Sequence, residues 1–169
     1  HDHAAADHDR FDRAVVLGHA ARDAVALLRY EAESKAIDVS VDISAAARII
    51  ASEGEIGMVF VNLVQNAMHA MTQGGRIAIS GSVDDKGEVF VAVKDTGSGI
   101  SRAHVQKIFH PFWSWRADGS TGSGLGLAIC QSIVSKWGGK IEVESEIGHG
   151  ATFTLRFPHA DEKIGQEWA

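Results

Sequence analysis

Three stretches of this 169-residue chain carry side chains and glycines at spacings that chemistry can use. In the first, Asn62, Asn66 and His69 stand four and three residues apart, so on a helix all three leave from one stripe. A carboxamide oxygen is a neutral hard donor. It suits Mg²⁺, which keeps its waters and takes most of its negative charge from phosphate oxygens. The second stretch, Asp95-Thr96-Gly97-Ser98-Gly99-Ile100, directly follows a strand-like run. Its glycines let the backbone turn sharply and lie against a flat ligand, while a carboxylate at a strand end accepts a hydrogen bond from an exocyclic amine. Adenine offers such an amine at its six position. Guanine offers an oxygen there, and two facing acceptors would leave a buried charge unpaired, a discrimination that reaches roughly 10⁴-fold. The third stretch, Gly119-Ser120-Thr121-Gly122-Ser123-Gly124-Leu125-Gly126-Leu127, opens a helix. Successive backbone N–H groups at a glycine-rich helix start form an anion site.

Taken singly, each stretch has an ordinary structural explanation: a partly exposed polar face, a turn, a flexible linker. The third is neither a P-loop nor a dinucleotide fingerprint, because Gly-Lys-Ser/Thr and G-x-G-x-x-G are both absent. The weight lies in their order: a carboxamide helix, a strand ending in D-x-G-x-G, then G-x-G-x-G.

The elements that must hold these residues can be read from periodicity. From about Phe11 to Lys35 the apolar residues Val15, Leu17, Ala21, Val25, Leu28 and Ala32 recur at helical steps. Ile37 to Ile43 alternates strictly, as a half-buried strand does. A second helix is expected from about Glu55 to Met71, with Ile56, Phe60, Leu63, Ala67 and Met71 as its core stripe and Gly74-Gly75 as its C-terminal cap. Arg76 to Val83 and Glu88 to Lys94 read as a hairpin joined by Asp84-Asp85-Lys86-Gly87. A short helix (Arg102 to Ile108), a Gly/Ser-rich polar segment (Ser114 to Ser123), a helix from Gly124 to Trp137 and a closing hairpin around Ile147 to Gly150 follow. These elements assemble most simply as an α/β two-layer sandwich. A mixed sheet of about five strands, with room for a short extra one, is covered on one face by three main helices.

Composition narrows the function classes. Hydrophobic residues make up 45% and charged residues 22%, the balance of a globular domain with one core. Sixteen Lys plus Arg against 22 Asp plus Glu leave a net charge of −6, which argues against a nucleic-acid surface without excluding a phosphate held by backbone amides. Cys130 is the single cysteine, so no intrachain disulfide forms. The uncharged stretch from Ile56 to Gly75 contains Asn62, Gln65, Asn66, His69 and Gln73 and is not a membrane span. The opening HDHAAADHDR has no apolar signal region, so a cytoplasmic domain is expected, with attachment to a membrane protein left open.

The ordered set of motifs resembles the catalytic ATP-binding domain of sensor histidine kinases. That domain is built on the Bergerat fold shared with type II topoisomerases and heat-shock chaperones. NLVQNAMHAM (Asn62 to Met71) is similar to the family's N box, DTGSGI to its first glycine box and TGSGLGLAI to its second. IFHPFWSWR (Ile108 to Arg116) is similar to the F box through Phe109 and Phe112, and GHGATFTLRFP to the closing G-x-G-T-x-F strand. The likeness spans about Phe11 to Pro158, leaving residues 1–10 as a solvated lead-in and 159–169 as a tail.

The resemblance implies ATP and Mg²⁺ as cofactors. It makes Asn66 the Mg²⁺ ligand, with Asn62 supporting metal and phosphates as the other catalytic carboxamide. It gives Asp95 the adenine amine, with Thr152 assisting through a water, and has Gly97, Gly99 and Ile100 shape the base pocket. Gly122, Gly124 and Gly126 would let a lid close over the phosphates, and Phe112, Arg116, Ser123 and Leu125 would join the cofactor-binding residues. Arg116 falls where many relatives carry a lysine, and His69 occupies a variable position near the nucleotide. WSW after Phe112 departs from the usual small polar residues; Trp113 and Trp115 would pack a lid or an adjoining domain.

In the hydrolysing members, and in serine kinases acting on anti-sigma partners, a Glu stands four residues before the Mg-binding Asn as general base. Here that residue is Asn62, which accepts no proton near neutral pH. ATP should therefore be held without rapid hydrolysis. The family's phosphoacceptor motif, a His followed by an acidic residue, then Arg or Asn, and Pro, does not occur: His8-Asp9 leads into Arg10-Phe11 and His19 into Ala20-Ala21. The implied partners are thus a phosphoacceptor helical hairpin of the same full-length protein, as a homodimer, and a response-regulator receiver domain. No nucleic acid and no direct membrane contact are expected. Two alternatives stay open, a stand-alone ATPase or serine kinase of the same fold, and a degenerate module that binds a protein partner and no nucleotide. Among the remaining features, His1, His3 and His8 read as a solvated terminus, Cys130 as a small core hydrophobe and Trp137 as core at a helix end. Trp168 has no assignable role.

Overall fold

The computed structural model describes residues 13–111 and 126–161. A strand, β1 (Arg13–Val16), leads into two short helices, α1 (Leu17–Leu27) and α2 (Arg29–Ser34), followed by β2 (Ile37–Ile43) and β3 (Arg48–Ala51). The long helix α3 (Glu53–His69) precedes the strands β4 (Gly75–Val83) and β5 (Glu88–Asp95) and a single turn of helix, α4 (Arg102–Val105). The chain then forms α5 (Gly126–Lys136), β6 (Lys140–Ser145) and β7 (Ala151–Pro158).

Five strands make one sheet in the order β2-β4-β5-β7-β6, with β2 and β4 parallel and the other pairs antiparallel. The parallel pair needs a crossover, and the segment carrying β3 and α3 supplies it. The expected two-layer α/β sandwich is therefore present. Ile77, Ile79, Val89, Val91, Val93, Phe153, Leu155 and Phe157 point from the sheet into the core, where they meet Ile56, Phe60 and Leu63 of α3. The predicted core stripe is buried at all five positions, four of them on α3 and Met71 just beyond its end, and α1 and α5 both pack against α3.

Four boundaries depart from the sequence reading. The helix expected from Phe11 is preceded by β1, which pairs antiparallel with β3 in a separate two-stranded sheet, Arg13 opposite Ala51. This long-range pairing decides the fate of Arg-Ala-Val-Val, and no local period reports it. The helix also breaks at Leu28, so that Leu28 and Ala32 stay buried while Leu27 and Tyr30 face solvent. Helix α3 ends at His69 with Ala70 as its C-cap, several residues before the glycines expected to cap it. Finally, α4 is only one turn long, started by Ser101, whose hydroxyl accepts from the His104 amide. Beyond β7, Ala160 is buried and His159 Nε2 contacts the Ala46 carbonyl at 2.9 Å, so packing continues past Pro158.

Candidate functional site

Helix α3 is fixed at its start by Ser52, whose side chain accepts from the Glu55 amide at 3.3 Å, and by Glu53 and Glu55 in its positive first turn. Burial of the core stripe sets its rotation, and that rotation leaves Asn62 and Asn66 half-buried on another face. Asn62 Nδ2 donates to the Met58 carbonyl at 2.8 Å, which commits the amide nitrogen and leaves the oxygen for other partners. Gly126, the first residue of α5, packs against that oxygen. A Cβ there would lie 2.9 Å from Asn62 Oδ1. The side chain of Asn66 makes no hydrogen bond among the described residues. His69 stands 4.0 Å from Glu31 of α2, whose carboxylate also meets Lys35 at 3.8 Å, so its stripe runs toward a charged cluster.

Asp95 ends β5 and is 2% exposed, the one buried charged side chain among the described residues. The alternation of β5 puts it on the core face with Val89, Val91 and Val93. Oδ1 accepts from the Gly97 amide at 2.8 Å and the Ala151 amide at 3.3 Å, whereas Oδ2 takes no hydrogen bond among the described residues. Burial pushes this carboxyl above its ordinary range, and the two amides pull it only part of the way back. One oxygen is thus held by the backbone and the other is left to accept.

The loop after Asp95 is anchored on both sides. The Thr96 hydroxyl accepts from the Arg76 amide at 3.0 Å, and the Ser98 amide donates to the Ala70 carbonyl at 3.1 Å. A Cβ on Gly97 would sit 2.7 Å from the Ala70 carbonyl oxygen and 2.9 Å from Asp95 Oδ1. Gly99 has φ +75° and lies directly against the Glu146 carbonyl. The Ile100 amide donates to Ser145 Oγ at 2.7 Å. Phe109, expected in an aromatic motif, packs edge-to-face on Phe153 with centroids 6.3 Å apart.

Thr152 does not join this group. Strand β7 buries Ala151, Phe153, Leu155 and Phe157 in alternation, so Thr152 projects from the opposite face, level with Lys94 and Glu144. Ala151 is the residue beside Asp95, and it contributes its amide. The period-2 pattern of GATFTLRF carried that signal, as did the position of Ala151 immediately after Gly150. Phe112, Arg116, Gly122, Ser123, Gly124 and Leu125, with Trp113 and Trp115, lie outside the described residues.

The amide oxygen of Asn66 is of the donor type that suits a magnesium ion carried by a nucleotide. The described residues contain no cluster of three or more His, Cys, Asp or Glu that could hold an ion. A neutral, unengaged amide on Asn66 suits an ion whose other oxygens come from phosphate and water.

A buried carboxylate at a strand end, a glycine loop against it and a carboxamide helix across the sheet define a nucleotide-binding domain of the two-layer α/β kind. Residues 51–161 match the family described as histidine kinase-, DNA gyrase B-, and HSP90-like ATPase, and the chain belongs to that family. The sensor histidine kinase ZraS of Klebsiella oxytoca is 39% identical over 133 residues, covering 78% of this chain and 28% of that protein. The nucleotide-free catalytic domain of the histidine kinase ThkA superposes with a TM-score of 0.77 at 31% identity, covering 90% of this chain and 98% of that one. Full-length ShkA in complex with AMPPNP superposes with the same TM-score, 0.77, at 31% identity, over 88% of this chain and 31% of that one. Within the family, the chain groups with the catalytic domains of sensor histidine kinases. It spans little more than a quarter, 28%, of the length of ZraS.

Proposed function

We propose that residues 11–158 bind ATP with Mg²⁺ and present the γ-phosphate to a histidine on a separate phosphoacceptor helical hairpin, leaving ADP. The observation that carries this reading is Asp95, a buried carboxylate with one oxygen tied to two backbone amides and the other unengaged. Oδ2 accepts from the adenine amine and disfavours the guanine oxygen, giving base selection without any positive charge. Asn66 offers its amide oxygen to Mg²⁺, which when bound neutralises phosphate charge. Asn62 holds its place through Met58 and supplies no base, so bound ATP waits for an external nucleophile instead of being hydrolysed. Catalysis by this domain is then mostly positioning and charge neutralisation.

The hairpin would come from the same full-length protein, working as a homodimer, and a response-regulator receiver domain would take the phosphate onward. The solved ThkA complex with the response regulator TrrA supports that assignment. No helix among the described residues is long and apolar enough to cross a membrane. The test is calorimetric titration of ATP with Mg²⁺, alongside GTP. Micromolar ATP binding with GTP far weaker supports the reading, and a folded chain that gives no heat with ATP removes it. Transfer from γ-labelled ATP to an added sensor-kinase hairpin, lost in Asn66→Ala, completes the test.

A further inference from the structure

We infer that Ser145 is the positioning residue of the base pocket, its hydroxyl setting how the loop after β5 and the turn after β6 close around Asp95. Ser145 is the last residue of β6 and pairs with Ala151. Its Oγ accepts from the Ile100 amide at 2.7 Å and donates to the Gly150 carbonyl at 3.0 Å. These two contacts join the two segments that flank the carboxylate. On one side, Ile100 closes the loop containing Gly97, whose amide reaches Asp95 Oδ1. On the other, Gly150 precedes Ala151, whose amide reaches the same oxygen. The segments also meet through backbone groups, the Gly148 amide donating to the Ser98 carbonyl at 2.8 Å and Gly99 lying on the Glu146 carbonyl. Beside Asp95 Oδ1, which takes an amide from each segment, Ser145 bridges them with a side chain of its own, as donor to one and acceptor from the other.

Energetics assign this hydroxyl to the pocket and not to the fold. The β6–β7 ladder runs from Lys140 opposite Arg156 to Ser145 opposite Ala151 and depends on no hydroxyl. The Gly150 carbonyl keeps a second, longer bond from the Glu146 amide at 3.4 Å. The Ile100 amide, part-buried and outside any helix or strand, has no second acceptor among the described residues. Loss of the hydroxyl orphans that amide, and an orphaned N–H moves toward water, taking the glycine loop with it.

The inference rests on Asp95 being the purine contact, and the experiment separates the two. Affinities for ATP and for adenosine are measured by calorimetry on wild type, Asp95→Asn, Ser145→Ala and Ser145→Thr, with Ser44→Ala as a remote turn-hydroxyl control. Ser145→Ala should weaken ATP and adenosine by the same factor, about tenfold, the size expected for one orphaned buried amide. Ser145→Thr should restore both, and Ser44→Ala should change neither. Hydrogen exchange without nucleotide should quicken at the Ile100 amide in Ser145→Ala and not at the Lys86 amide, which Asp84 holds at 2.9 Å. If wild type binds and Asp95→Asn does not, but Ser145→Ala binds like wild type, the role of Ser145 is refuted alone. If wild type binds neither ligand, both readings fall. A loss for ATP with none for adenosine also refutes it, since the effect would then lie at the phosphate end.

Discussion

The Ala151 amide donates to Asp95 Oδ1 over 3.3 Å, tying together strands whose residues lie 56 positions apart. The contact holds a charge where water is nearly excluded, and burial raises the carboxyl above its ordinary value of 3.8. The consequence for stability has a definite sign. Between the unfolded and the folded pKa, the folded chain keeps a proton that the unfolded chain has released. Stability from this group is therefore full below pH 3.8 and falls as pH rises through the folded value, after which the buried charge is a constant cost. Asp95→Asn keeps an Oδ1 for both amides and discards the charge. It should melt no lower than wild type at pH 7, with any advantage shrinking as pH approaches 4, while ATP affinity collapses. Thermal melts at several pH values and one ATP titration check it; a lower melting temperature with ATP binding intact refutes it.

Asn66 carries the metal expectation and can be tested by the metal dependence of binding. With its amide unengaged among the described residues, Asn66→Ala should leave the melting temperature within a few degrees of wild type. ATP affinity without Mg²⁺ should be unchanged. The gain in affinity on adding Mg²⁺ should shrink by about 10- to 100-fold, the range for lost metal support. Equal Mg²⁺ enhancement in both proteins would assign the ion elsewhere.

Gly99 and Gly148 make a matched pair for separating backbone strain from steric contact. Both have positive φ, +75° and +85°, but a Cβ on Gly148 meets nothing within 4 Å, whereas one on Gly99 meets the Glu146 carbonyl. Alanine at either should cost about 1–2 kcal/mol for the left-handed backbone. Only Gly99→Ala should also push the loop away from the β6–β7 turn, so only it should lose ATP affinity. Similar affinities in the two variants would show that the loop accommodates the methyl group.

Much of this was legible in the sequence, for reasons that differ by residue. The core stripe of α3 and the alternation of Ile37 to Ile43 follow from burial on one face, which a local period reports. Asp95 stood out through the order of the three stretches, since D-x-G-x-G taken singly fits an ordinary turn. The β1–β3 pairing was invisible because strand partners are chosen across the chain, and the four residues of β1 fit a helical pattern equally well. Thr152 was misplaced because a motif fixes identity without fixing the face of the strand; Ala151, whose side chain has no polar atom, does its work through its amide. Ser145 offered no signal at all, since its role exists only once Ile100 and Gly150 are brought to it.

Cys130 supplies a probe of the same site from inside the core. Its thiol is fully buried, lies 3.8 Å from the Val59 carbonyl between α5 and α3, and is pushed up to about 12 by desolvation. Thiolate at pH 8 is therefore negligible in the folded chain, and a disulfide reagent should react only when α5 lifts from α3 or the domain unfolds. Gly126, at the start of the same helix, packs on Asn62, so a ligand bound against the carboxamide helix favours the closed arrangement. ATP with Mg²⁺ at 100 times its Kd should slow labelling of Cys130 about 100-fold if nucleotide binds the closed form alone. Labelling that is fast in the native protein would contradict the burial of Cys130. Slow labelling that ATP leaves unchanged would mean that the motion exposing the thiol does not involve the nucleotide site.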